Sequence, residues 1–122
     1  MPEQVTLALI VAKPGPLQNS LQALMTTMSQ IEIVAEANDP SALLRMGGRI
    51  QPDIVLLDAS LPENEDWAAL RQIQETWSQA RTIVLVESSE QQLQAEQAGA
   101  NVALLKGFPA AKLAAIIEGG VS

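Results

Sequence analysis

Cysteine, histidine and tyrosine are all absent from this chain of 122 residues. Without cysteine there are no disulfides, thiolate metal sites or cysteine nucleophiles, and a reducing cytoplasm is the expected compartment. Without histidine there is no imidazole base, no imidazole metal ligand and no histidine to carry a phosphoryl group. A Ser-His-Asp hydrolase is excluded on the same ground, and the GxSxG turn is missing as well. The aromatic residues are Trp67, Trp77 and Phe108, too few to build a base-stacking platform. Basic residues are scarce, 7 against 14 acidic, giving a net charge of −7. Phosphate contacts need clustered Lys and Arg, so this chain is not expected to bind nucleic acid. No apolar run approaches the roughly 18 residues a membrane span needs, and Met1-Pro2-Glu3-Gln4 does not open a signal peptide.

What remains suits a single domain over 1–122, long enough to bury a core of its own. Short apolar runs alternate with segments of helical period. Val5–Val11 is apolar almost throughout, as a strand buried on both faces would be. Leu17, Leu21, Leu24, Met25 and Met28 then recur at helical spacing. Ile31–Ala37 reads as a second strand. Asn38-Asp39-Pro40 is a helix start, and Gly47-Gly48 a stop. Ile54–Asp58 is a third strand, followed by a helix carrying Trp67, Leu70, Ile73 and Trp77. Thr82–Glu87 is a fourth strand, and Ser88-Ser89-Glu90 opens a glutamine-rich helix that ends at Gly99. Asn101–Leu105 is a fifth strand, and a helix from about Pro109 to Glu118 presents Leu113, Ile116 and Ile117 on one face. Five β-then-α units predict an α/β/α sandwich with a five-stranded parallel sheet, of flavodoxin-like strand order 2-1-3-4-5.

In such a sheet, chemistry collects beyond the carboxyl ends of the strands. The loop after the first strand, Ala12-Lys13-Pro14-Gly15-Pro16, is neither a Walker loop nor GxGxxG, and its prolines remove N–H donors a phosphate cradle would use. The charges expected at the rim are Lys13, Asp58, Glu87 and Lys106. Any of them could simply face solvent. The Leu113, Ile116 and Ile117 stripe reads as core, and the glutamines Gln91, Gln92, Gln94 and Gln97 as a solvated face.

The segments IVAKPGPLQNSLQALM (10–25), IEIVAEANDPSALL (31–44), PDIVLLDASLPENEDW (52–67) and AGANVALLKG (98–107) together resemble the receiver domain of bacterial response regulators, most closely the NarL/LuxR-type class. The resemblance implies a CheY-like fold and a non-enzymatic role in two-component signal transduction. It puts Asp58 at the position that accepts a phosphoryl group from a histidine kinase, and Lys106 at that of the lysine that steadies the phosphoryl oxygens. It also exposes departures. The acidic pair that holds Mg²⁺ in the family is here Ala12 and Lys13. The hydroxyl residue ending the fourth strand is here Val86, and the aromatic switch residue of the fifth strand is Ala103.

Mg²⁺ seeks oxygen ligands, usually including carboxylates. Here Asp58 faces two cations, Lys13 and Lys106, so metal binding is expected to be weak or absent and no cofactor is implied. Two unit charges about 4 Å apart interact by roughly 4 kcal/mol at an effective dielectric near 20, so replacing a carboxylate by an ammonium matters. In one reading Lys13 replaces the metal, and the domain is a pseudo-receiver acting through protein contacts without phosphorylation. In another, Asp58 is still weakly phosphorylated and regulates transcription through a DNA-binding domain outside this sequence. A third reading, of a different class, makes Asp58 and Lys106 the acid/base pair of a small enzyme. The partners implied by the resemblance are a sensor histidine kinase or a downstream regulator, with a homodimer as a further option.

Overall fold

The computed structural model describes residues 6–12, 15–27, 31–37, 45, 51–58, 63–107 and 110–118. The strands are β1 (Thr6–Val11), β2 (Ile31–Ala37), β3 (Ile54–Asp58), β4 (Arg81–Val86) and β5 (Val102–Leu105). They form one sheet in the order β2-β1-β3-β4-β5, with every neighbouring pair parallel. The helices are α1 (Pro16–Thr26), α2 (Glu63–Thr76), α3 (Ser89–Gln97) and α4 (Ala110–Glu118). The helix expected to begin at Asp39-Pro40 lies outside the described residues.

The sheet separates two cores. On one face Leu9, Val55, Leu57 and Val84 meet Leu70 and Ile73 of α2, Trp77 just beyond its end, and Ala95 of α3. On the other, Ile10, Ile54, Leu56 and Leu85 meet Leu21 and Met25 of α1 and Leu113 and Ile117 of α4. Central strands served from both sides must be apolar at every position, and all five residues of β3 are buried. Each fully buried Leu or Ile contributes about 1.5–3 kcal/mol relative to exposure. The Leu113 and Ile117 stripe is core, as its spacing suggests.

Local signals set the ends of the helices. Pro16 starts α1, where its missing N–H costs no helical bond. Ser88 caps α3, its hydroxyl accepting from the Gln91 N–H at 3.1 Å. Gly99 closes α3 at φ +106, and a Cβ there would meet the Gln74 amide at 3.0 Å. Three boundaries differ by one residue from the hydropathy reading: β4 begins at Arg81 and ends at Val86, and β5 begins at Val102. Arg81 enters the strand because its N–H donates to the Asp53 carbonyl at 2.9 Å, so main-chain pairing overrides the polar side chain. No helix among the described residues is long and apolar enough to cross a membrane.

Candidate functional site

Asp58 is the last residue of β3, and the only charged residue that is buried among the described residues. The strand carries it there: four apolar residues seat β3 between two cores, and the carboxylate follows at the carboxyl edge. Its main chain is paired with Leu85 of β4.

Lys106 comes from two strands away. Its N–H donates to the Val86 carbonyl at 2.7 Å, extending the β4–β5 ladder one residue past β5. Gly107 then turns the chain at φ +92, a backbone region that glycine enters without steric cost. Anchored this way, the side chain crosses the end of β4, a span of about two strand spacings or roughly 10 Å between β5 and β3. It reaches Asp58: Lys106 Nζ lies 2.5 Å from Asp58 Oδ1, with the lysine side chain 24% and the aspartate 8% exposed. The pair is charge-assisted and short, and mostly withdrawn from water.

The other positions of interest divide. Ala12 follows β1 directly and is buried, 3% exposed, presenting a methyl group and no oxygen ligand. Its carbonyl accepts from the Gln18 amide at 3.4 Å. Val86 is fully buried at the end of β4, and Ala103 is buried in β5. Glu87 belongs to the expected rim but is exposed, and it makes no ion pair among the described residues. Lys13, the expected built-in cation, lies outside the described residues.

The described residues at this edge do not fit a Mg²⁺ ion. The side chain at 12 offers no oxygen, Asp58 Oδ1 is engaged by an ammonium, and no group of three acidic side chains converges among the described residues. What the arrangement can do is hold a carboxylate and an ammonium together at the sheet edge, with apolar Ala12 and Val86 at the ends of the flanking strands.

Some residues that shape this edge are not prominent in the sequence. Gln91 and Gln92 are half-buried, in contrast to the solvated face expected of the glutamine run. Gln91 Oε1 accepts from the Glu87 N–H at 2.8 Å, fixing the turn between β4 and α3. Gln92 Nε2 donates to the Ala103 carbonyl at 2.9 Å. The serine-to-glutamine spacing from Ser88 to Gln91 is the legible clue, since it matches a capping pair.

Comparison with known proteins agrees with this architecture. The family model described as the response regulator receiver domain matches residues 9–118. The transcriptional regulatory protein YdfI of Bacillus subtilis is 32% identical over 100 residues, covering 80% of this chain but 46% of that protein. The chemotaxis protein CheY of Bacillus subtilis is 33% identical over 81 residues, covering 65% of this chain and 68% of CheY. The chain therefore spans less than half the length of the regulator and about two thirds of CheY. Among solved structures, a LuxR-family two-component response regulator from Aurantimonas superposes with a TM-score of 0.83 at 26% identity, covering 97% of this chain and 86% of that one. The parallel sheet of order 2-1-3-4-5, the strand-end aspartate joined to a lysine after the last strand, and the match over nearly the whole sequence lead to one assignment: the chain belongs to the response regulator receiver domain family.

Proposed function

We propose that this receiver domain is an atypical one, a pseudo-receiver that signals by protein–protein contact without phosphorylation of Asp58. The observation that supports this most strongly is the chemistry of the two buried side chains beside Asp58: Ala12 and Val86, at the ends of the flanking strands, offer neither a metal ligand nor a hydroxyl. Phosphoryl transfer to a carboxylate needs an accessible oxygen and a divalent cation to gather the incoming negative charge. Here Asp58 is 9% exposed, the adjoining side chain at 12 has no ligand atom, and Val86 has no hydroxyl to hold a phosphoryl oxygen. In this reading Asp58 is one half of an internal ion pair, Lys106 its partner, and 1–122 a single domain that works as a binding module. Its partners are proteins, either a sensor kinase or a downstream regulator, and DNA contact is left to other domains in keeping with the charge of −7.

Incubating the purified domain with acetyl phosphate and Mg²⁺, or with beryllofluoride, tests this directly. Intact-mass and peptide analysis should find no phosphate on Asp58, and titration should find no tight Mg²⁺ binding. A phosphate-sized mass gain on Asp58 would overturn the proposal in favour of a phosphorylated receiver that regulates an attached output domain.

A further inference from the structure

Strand β5 is the last in the sheet, so one side of its backbone has no strand partner among the described residues. The Lys106 N–H points to β4. Strand groups alternate in direction, so the N–H and C=O of Ala103, three residues earlier, point outward. An outward carbonyl at a sheet edge is ordinarily left to water or to another chain. Here it is taken: Gln92 Nε2, at the close of the first turn of α3, donates to it at 2.9 Å in a half-buried setting. At the other end of the same turn, Ser88 and Gln91 fix the approach from β4. The first turn of α3 is thereby tied both to the end of β4 and to the edge of β5. The remaining contacts of α3 would not hold it strongly, because Ala95 is its one fully buried residue and Leu93 is 56% exposed.

We infer that Gln92 is a lock: its side-chain amide fastens α3 to the open edge of β5 and holds the surface between them in a single arrangement. Gln92 and Ala103 line a groove of about 310 Å³ that continues past Leu105 to Lys106, Lys112 and Ile116. One face of the lock is thus the wall of a groove that also includes the lysine paired with Asp58. The lock deepens the reading of the domain as a fixed binding module and rests on that reading for its use. Gln92 is a positioning residue here, since it acts through the placement of α3.

Residue-by-residue hydrogen exchange on the 122-residue chain tests the lock. In Gln92→Leu, which keeps bulk but removes the donor, amides of α3 and β5 should exchange about fivefold faster, as expected for one lost hydrogen bond. Amides of β1 and β3 should be unchanged. Gln92→Lys, which restores an N–H donor of similar reach, should recover most of the protection. Unchanged exchange in α3 and β5, or equal acceleration in every strand, would overturn the lock. A phosphate on Asp58 in the acetyl phosphate experiment would instead overturn the pseudo-receiver reading and leave the exchange result standing.

Discussion

Removing one partner of the Asp58–Lys106 pair should hurt far more from one side than from the other. Lys106→Met keeps the aliphatic stem and deletes the charge, leaving the carboxylate of Asp58, 8% exposed, without its ammonium. The direct attraction is roughly 4 kcal/mol at about 4 Å between charge centres and an effective dielectric near 20. Desolvation of both ions offsets part of it, so a net contribution of about 2–3 kcal/mol is reasonable for a charged hydrogen bond this well buried. We expect Lys106→Met to cost about 3 kcal/mol. Asp58→Asn preserves volume and leaves Lys106, whose side chain is 24% exposed, able to swing its ammonium into water. That variant should cost about 1 kcal/mol. The double variant should cost about 1.5 kcal/mol, little more than Asp58→Asn alone, for a coupling energy of about 2.5 kcal/mol. Urea unfolding followed through the fluorescence of Trp77, 3% exposed in the core, gives the numbers. With a slope of roughly 1.5 kcal/mol/M, Lys106→Met should move the midpoint down by about 2 M. Single effects that add within about 0.5 kcal/mol, or an Asp58→Asn cost equal to that of Lys106→Met, would refute the claim that the pair organises this edge.

Two further outcomes follow from the same edge and from the opposite one. Ala12→Asp combined with Lys13→Asp should create measurable Mg²⁺ binding by calorimetry, because it supplies two carboxylates directly after β1, the strand next to that of Asp58, and removes a cation; no binding would mean the missing carboxylates are not the main defect. At the amino edge, Asn101 Oδ1 accepts from the buried Thr82 N–H at 2.8 Å, so Asn101→Ala should destabilise the domain by about 1–2 kcal/mol in the same urea assay without altering Mg²⁺ behaviour.

Strand positions were legible because burial on both faces demands unbroken apolar runs, and few folded alternatives produce five of them with helical segments between. Asp58 stood out for a related reason, as the charge that terminates such a run. The meeting of Asp58 with Lys106 was readable as a shared sheet edge and as one of two candidate ion pairs, Lys13 being the other. Lys13 was an equally good partner on charge alone, and only the anchoring of Lys106 to Val86 explains how a lysine two strands away arrives. Glu87 shows the converse, a rim charge by sequence that is exposed in the fold. The glutamines were the larger omission. Four in one short helix look like a solvated face, because hydropathy registers a side chain's polarity and not whether a backbone carbonyl waits opposite. Gln92 has a role only because β5 ends the sheet, a fact that belongs to topology and not to any local window.

The uniform apolarity of β3 has a consequence for how the chain finds its register. Ile54 and Leu56 belong to one core, Val55 and Leu57 to the other. A slip by one residue would exchange the two sets and still bury only hydrocarbon, so hydrophobic pattern penalises the error weakly. The penalties sit at the two ends. Asp53 brackets Leu7 of β1, donating its N–H to the Leu7 carbonyl and accepting the Leu7 N–H on Oδ2, each at 2.8 Å. Asp58 must emerge at the far rim or be drawn into oil. The two aspartates are stops at either end of a greased strand, the marks by which the sheet is threaded in register.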